Sequence, residues 1–319
     1  MTSVKLRWKI AIGVAVLAIA GLGYAGNYFY DYAVVPSEKD FLEGDTPGTD
    51  ENQTGSEAQN WFTDAANREM WQLTSEDDLK LSAIYLPAEE KNQGKTAIIA
   101  HGYMGNAETM ADYAKMYHDL GYNVLVPDAR GHGQSEGDYI GFGWHERKDY
   151  LQWIDEILAK NGSEETITLY GISMGAATVM MTSGEDLPKN VTSIIEDCGY
   201  TNVNEELGYQ LDQLFGLPAF PLMNVTSLVT KIRAGYFFGE ADAVKQLQKN
   251  TRPIFFIHGD ADTFVPYAML DILYNATDAP KEKWVVSGAE HAKSYKTDPA
   301  LYKEKIAAFL EKYDHPASE

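Results

Sequence analysis

A single cysteine, Cys198, is all that the 319 residues offer for sulfur chemistry. No intrachain disulfide can form, so stability must come from a packed core; exported proteins need no disulfides, so the count leaves the compartment open. Cys198 follows the apolar run Ile194-Ile195-Glu196 and reads as an inert core thiol. Basic residues are also scarce, 26 Lys and Arg against 47 Asp and Glu, for a formal charge of −21. That surplus argues against nucleic-acid partners and against electrostatic docking on anionic lipid. There is no H-E-x-x-H, and His258-Gly259-Asp260-Ala261-Asp262 lacks further convergent ligands. His101-Gly102-Tyr103-Met104-Gly105 has neither the lysine nor the spacing of a P-loop. Neither a metal nor another cofactor is expected. No internal repeat is visible, and the length suits one sizeable core.

Long apolar runs are missing too, with one exception. Residues 10–30 carry no charge, behind Lys5, Arg7 and Lys9 and ahead of Asp31. This is close to the roughly 20 residues that span a bilayer as a helix. The charge asymmetry puts residues 1–9 in the cytoplasm and the rest outside, with Tyr24, Tyr28, Phe29 and Tyr30 at the outer interface. Ala18-Ile19-Ala20 also offers a signal-peptide cleavage pattern, which would make the protein secreted rather than anchored. Either reading exports the remainder of the chain. Residues 31–60 read as an acidic extracellular linker, since Pro36 to Asn60 is rich in Gly, Ser, Thr and Asp.

What the chain does have is Gly171-Ile172-Ser173-Met174-Gly175, directly after the β-type run Ile167-Thr168-Leu169-Tyr170. A G-x-S-x-G between strand and helix is a nucleophile elbow that holds the serine hydroxyl exposed on a sharp turn. The helix begun by Met174 would aim its free N–H groups at the same point. A serine hydroxyl needs a base, and the base needs an orienting acid. In the elbow architecture the order along the chain is serine, acid, histidine. Of seven histidines, His291 lies in the loop after the late strand Trp284-Val285-Val286-Ser287 and is the candidate base. The acid should follow the preceding strand, Pro253-Ile254-Phe255-Phe256-Ile257. Asp262 is the first choice there; Asp260 fits a turn-shaping role, and Asp197 is a second rival. An early strand, Thr96-Ala97-Ile98-Ile99-Ala100, breaks at His101-Gly102, so that the Tyr103 amide can face Ser173. With the Met174 amide it would form an oxyanion hole.

Taken in order, His101-Gly102, Pro127-Asp128-Ala129-Arg130-Gly131-His132-Gly133-Gln134-Ser135, the elbow, His258-Gly259 through Val265-Pro266, and His291 resemble an α/β-hydrolase. The likeness runs from about Met70 to Tyr313. It is greatest to the branch of monoacylglycerol lipase-like, esterase-like and serine aminopeptidase-like enzymes, and extends to membrane-anchored cell-surface hydrolases of Gram-positive bacteria. The resemblance implies Ser173, Asp262 and His291 as triad and Tyr103 and Met174 as oxyanion donors.

The remaining pattern predicts an α/β fold: a mostly parallel eight-stranded sheet with helices on both faces over residues 61–319. A helical cap insertion is expected over about 200–250. Within it Leu207, Leu211, Leu214 and Phe215 share one helix face, followed by a proline-broken apolar stretch. Phe215, Leu217, Phe220 and Met223 are the candidate lining of an acyl pocket, in the crevice above the strand ends; the alternative is a helical excursion whose apolar face only joins the core. The expected function is an exported serine hydrolase acting on small carboxylic esters. A peptidase remains open if Glu205, Glu206 or Glu240 holds an α-amino group, and a non-catalytic binding module is the third reading.

Overall fold

In a computed structural model, residues 2–37, 56–64, 66, 68–88 and 94–315 are described. Eight strands form one sheet in the order β1-β2-β4-β3-β5-β6-β7-β8. They are β1 Glu69–Thr74, β2 Lys80–Leu86, β3 Lys95–Ala100, β4 Asn123–Pro127, β5 Thr166–Ile172, β6 Val191–Asp197, β7 Ile254–Gly259 and β8 Lys281–Val286. Pairing is antiparallel between β1 and β2 and between β2 and β4, and parallel from β4 to β8. The central strands β4, β5 and β6 are buried along their whole length. Burial on both faces is why Val124-Leu125-Val126 of β4 reads as a continuous apolar run; β5 and β6 also bury hydroxyls, Thr168 Oγ1 and Ser193 Oγ meeting at 2.8 Å.

Helices cover both faces. One carries α4 (Glu146–Asn161) and α5 (Met174–Ser183), with Trp153, Ile154 and Val179 in its core. The other carries α3 (Ala111–Asp119) and α11 (Pro299–Tyr313), with Tyr117, Ile306 and Phe309. In α11 the side chains at 302, 306, 309 and 310 are buried, the helical spacing that packs one stripe on the sheet. Asp298 caps it by accepting from the Leu301 amide at 3.0 Å, and Pro299 occupies the first turn, where no N–H is needed.

The cap follows β6. Helix α6 (Val203–Phe215) starts at Asn202, whose side chain accepts from Glu205 N at 2.9 Å, and ends on Gly216 in the left-handed region. Helix α7 (Ala219–Ala234) occupies the stretch where prolines suggested broken structure. Pro218 precedes it, and Phe220 is extended (φ −90°, ψ 133°) before the regular turns begin. The short α8 (Ala243–Leu247) leads back to β7, with α9 (Ala268–Asn275) and α10 (Ser294–Thr297) further along the chain.

The first helix, α1 (Thr2–Ala33), outruns the expected 10–30 segment. Residues 5–21 of it are exposed, whereas Gly26, Tyr30 and Val34 just beyond its end are buried against the domain. The linker expected over 31–60 is therefore shorter at both ends. Val34 accepts a hydrogen bond from Ile140 N at 2.8 Å. At the other end Phe62 of α2 (Glu57–Asp64) is fully buried. The middle, 38–55, lies outside the described residues.

Candidate active site

Loops at the carboxyl ends of β3, β5, β7 and β8 meet at one point. The sharpest is the turn from β5 into α5. Ser173 sits there at φ 56°, ψ −118°, a strained conformation for a residue with a Cβ. It is held by its amide donating to Asp197 O at 2.8 Å and its carbonyl accepting from Ala177 N at 3.0 Å. Only glycine fits beside it. A Cβ at Gly171 would lie 2.1 Å from Gly175 O, and one at Gly175 would lie 2.1 Å from Ala100 O.

From Ser173 a chain of side-chain contacts runs inward. Its Oγ is 2.9 Å from His291 Nε2, and His291 Nδ1 is 2.8 Å from Asp262 Oδ2. His291 comes from the loop after β8, where Phe264 packs 4.8 Å from its ring. The other oxygen of Asp262 accepts from the amides of Phe264 and Val265, both at 2.9 Å. A second imidazole, His258 of β7, reaches Asp262 Oδ2 at 3.2 Å and Val265 O at 3.1 Å. Burial would push the Asp262 carboxyl up, but the hydrogen bonds from His258 and His291 outweigh it and hold the group at about 2. Asp262 is thus a carboxylate wherever the protein is folded near neutrality, and an Nδ1–H tautomer of His291 leaves Nε2 free to accept from Ser173.

The rival carboxylates are engaged elsewhere. Asp197 accepts from Ser294 Oγ and Tyr302 Oη, both at 2.9 Å, and burial raises it to about 6. Asp260 accepts from Gly288 N at 2.6 Å and ties two loops together. Cys198 Sγ belongs with Asp262 and His291 to a group of ligand atoms within 4.8 Å of one another. Both nitrogens of His291 already face Ser173 and Asp262, however, and burial pushes the thiol well above its ordinary value. Holding an ion there would pull His291 away from both partners.

Tyr103 and Met174 both border the cavity that opens over Ser173. The Met174 amide is the first of α5 and has no acceptor within the helix. The turn carrying Tyr103 is fixed by two buried imidazoles. His101 Nδ1 faces Gly102 O at 2.7 Å and its Nε2 accepts from Ala129 N at 3.0 Å. His132 Nδ1 faces Arg130 O at 3.0 Å and its Nε2 accepts from Met104 N at 3.3 Å. Burial lowers His101 to about 4 and His132 to about 3, so both stay neutral. Arg130 is taken up by ion pairs with Asp149 at 2.6 Å and Asp77 at 2.8 Å, and shapes its loop.

Counting its open mouth, the cavity holds about 770 Å³ and is walled mainly by apolar side chains. Phe215 and Met223 line it as expected. Leu217 and Phe220 do not: Leu217 is half-buried against the edge of the core, and the extended backbone at Phe220 turns that ring out to solvent, 77% exposed. Glu206 is a wall residue. One of its oxygens accepts from Gln210 Nε2 at 2.9 Å and the other has no partner among the described residues; burial pushes the carboxyl up to about 8. Glu205 accepts from Thr201 Oγ1, and Glu240 pairs with Lys231 at 3.1 Å, so neither serves the cavity. Sequence reasoning gave His258 no role beside Asp262: it entered only as part of a run lacking metal ligands and of the motif ending at Pro266. It also missed Phe29, Tyr32 and Ala33 of α1, which form part of the wall; their burial on one helix face carries no signal inside an apolar run.

The family described as "Serine aminopeptidase, S33" matches residues 91–216, a stretch that includes the elbow and ends before Asp262 and His291. The uncharacterised protein YqkD of Bacillus subtilis (strain 168) is 31% identical over 216 residues, covering 68% of this chain and 71% of YqkD. Among solved structures, the esterase Pf2001 of Pyrococcus furiosus superposes with a TM-score of 0.64 at 24% identity, covering 78% of this chain and 92% of that one. Est1E of Butyrivibrio proteoclasticus, solved with ferulic acid bound, gives 0.59 at 20% identity, covering 76% and 98%. At those identities the two structures show the fold.

Proposed function

The chain belongs to the α/β-hydrolase superfamily and is a serine hydrolase, and from that premise we propose that it cleaves carboxylic esters outside the membrane. Ser173 is the nucleophile, His291 the base and Asp262 the acid that fixes the imidazole. The observation that carries the reading is the unbroken line from Ser173 Oγ through His291 to Asp262, at 2.9 and 2.8 Å, beneath an apolar cavity.

In this mechanism His291 Nε2 takes the hydroxyl proton as Ser173 Oγ bonds to the ester carbonyl carbon. The amides of Met174 and Tyr103 bind the oxyanion. The carbon–alkoxide bond then breaks and the departing oxygen receives the proton from His291. Water, deprotonated by the same imidazole, attacks the acyl enzyme and releases the acid and the free serine. Asp262, held ionised, stabilises the imidazolium at each step. An ester is favoured because the wall suits an acyl chain and an alkoxide needs less acid assistance than an amine.

The N-terminal helix is long and apolar enough to cross a membrane. With Lys5, Arg7 and Lys9 in its first turns, ahead of the uncharged stretch 10–30, it would leave the catalytic domain outside as a single-pass protein. The test is turnover of p-nitrophenyl esters by the full chain beside Ser173→Ala, with a fluorophosphonate probe on both. Labelling and turnover that vanish together in the variant are expected; a well-folded wild type that takes neither ester nor probe would sink the proposal.

One observation favours a second reading. Glu206 lines the cavity with a carboxyl oxygen that has no partner among the described residues, where the α-ammonium of a peptide would meet it. Aminoacyl p-nitroanilides turned over faster than esters, and lost on Glu206→Gln, would make the protein an aminopeptidase.

A further inference from the structure

We infer that the membrane helix is a structural wall of the active-site cavity, and that the substrate is a lipid amphiphile, an ester of one long acyl chain, entering sideways from the outer leaflet. The inference rests on the ester-hydrolase reading and on α1 crossing the bilayer.

The last turns of α1 are built into the domain. Gly26 lies against α7 so closely that a Cβ there would stand 2.6 Å from Val225 Cγ1. Arg233 of α7 donates to Asn27 Oδ1 at 2.9 Å and Asp31 Oδ1 at 2.6 Å, with its guanidinium 4.1 Å above the Tyr30 ring. Phe29 and Tyr32 each set an edge on Phe215, with ring centres 5.2 Å apart. Tyr103, whose amide is the candidate oxyanion donor, donates its hydroxyl to Ala33 O at 2.7 Å. Phe29, Tyr32 and Ala33 thereby share one cavity with Ser173.

Length places this wall relative to the lipid. Residues 10–21 are the apolar part free of the domain, and at 1.5 Å per residue they rise about 18 Å. The hydrocarbon layer is about 30 Å thick. The missing ~12 Å must be crossed by residues 22–29, which already carry the cap. Exposed aromatics mark the same limits: Trp8 among the basic residues at one end, Tyr28 at the other. The middle of α7, where Val225 and Thr226 lie beside Gly26, is then level with the outer leaflet.

The surface there fits lipid. Outside α1, six of the eight exposed large hydrophobic side chains among the described residues fall between Leu214 and Phe237. Among them are Phe220, turned outward at the entry to α7, and Leu228 and Ile232, four apart on its outer face. The chain, with a formal charge of −21, has no electrostatic reason to approach anionic lipid, so apolar contact and the helix itself must hold the domain there. An acyl chain sliding from the leaflet into the cavity brings its ester to Ser173 Oγ and leaves the polar alcohol at the mouth.

The full chain, reconstituted in phosphatidylglycerol–phosphatidylethanolamine vesicles containing 1-oleoylglycerol, is assayed beside soluble p-nitrophenyl butyrate. Phe220→Asp should cut oleate release at least tenfold and leave butyrate turnover within twofold. Wild-type protein that cleaves the soluble ester and spares the vesicle lipid would overturn the inference and leave the hydrolase reading standing. Equal loss of both rates, or of neither, in Phe220→Asp would also overturn it. No turnover of either ester and no fluorophosphonate labelling of Ser173 would remove the hydrolase reading, and the inference with it.

A second measurement does not depend on activity. A fluorophore on Phe220→Cys should be quenched by phospholipids brominated on the acyl chain and shielded from iodide. One on Lys305→Cys, in α11 on the opposite face of the sheet, should show the reverse. Free access of iodide to position 220 would overturn the inference.

Discussion

The floor and the walls of the cavity are made by different means. The floor is the set of loops at the sheet's carboxyl edge. Ser173, His291 and Asp262 are held there by short hydrogen bonds, by glycines with no room for a Cβ, and by a backbone turn that a serine adopts only under constraint. The walls are helices α1, α6 and α7, which meet through Phe29, Tyr32, Phe215 and Met223 with few polar contacts among them. Directional bonds fix a floor that must place atoms to within a fraction of an ångström. Apolar packing allows a wall to fit a chain of methylenes without recognising any one of them.

If that contrast is right, damage to the floor should abolish chemistry and damage to the walls should shift selectivity. The largest effect belongs to Ser173→Ala. Ester turnover by the full chain should fall by about 10⁴-fold or more, with the melting temperature little changed. Next is Gly175→Ala. Its methyl meets Ala100 O, a backbone atom, so α5 must move and carry the Met174 amide with it. A loss of roughly 10²–10³ in kcat is expected, the magnitude of a missing oxyanion donor. An unchanged kcat would separate that amide from the reaction.

His258→Phe comes third. It removes one of the two imidazoles on Asp262, a charge-assisted contact of about 1.5 kcal/mol, so kcat should fall roughly tenfold. A loss as large as that of Ser173→Ala would mean His258 belongs to the reacting chain itself. Fourth, Phe29→Ala with Phe215→Ala should change the ratio of long-chain to short-chain ester turnover by about tenfold and leave fluorophosphonate labelling intact. Equal loss at every chain length would break the contrast between floor and walls.

The smallest effect concerns stability. Burial holds the Glu206 carboxyl at about 8 in the folded chain, well above its ordinary value. The folded state therefore keeps a proton that the unfolded state gives up, and stability declines as pH rises from about 4.5 to about 8. Glu206→Gln removes that decline. Its melting temperature should exceed wild type by about 2 °C at pH 8 for each ~1 kcal/mol relieved, and match it near pH 4. A gap that does not close on acidification would assign Glu206 a different role.

The same contrast decides what could be read in advance. Floor residues are legible because their chemistry needs particular residue types in a set order. Ser173 announces itself by two glycines, and His291 and Asp262 by the strands they follow. The sheet is legible for a related reason: strands buried on both faces become apolar runs bounded by turns. His258 escaped because nothing local marks an imidazole that serves a carboxylate four residues on. The walls were legible only in part, through Phe215 and Met223. Leu217 and Phe220 were as apolar as Phe215 and Met223, and only the backbone entering α7 decides which rings turn inward. In α1, the exposed apolar and aromatic side chains and those that touch the domain obey one composition, so Phe29 and Tyr32 could be placed only by what they touch.

The close seat of Gly26 against Val225 has a consequence for the order of events during synthesis. On the membrane-spanning reading, α1 enters the bilayer when most of the chain has yet to be made. At roughly 5–20 residues per second, some 200 residues separate its emergence from that of its partner on α7, a wait of about 10–40 s. Until then the notch at Gly26 and the ring of Tyr30 have only lipid to cover them. The domain, folding after export, must close onto a helix already in place, and Tyr103 finds its acceptor at Ala33 only in that last step. Maturation of the catalytic cavity and arrival at the membrane would then be one event, so that a chain gone astray in the cell would carry an incomplete enzyme.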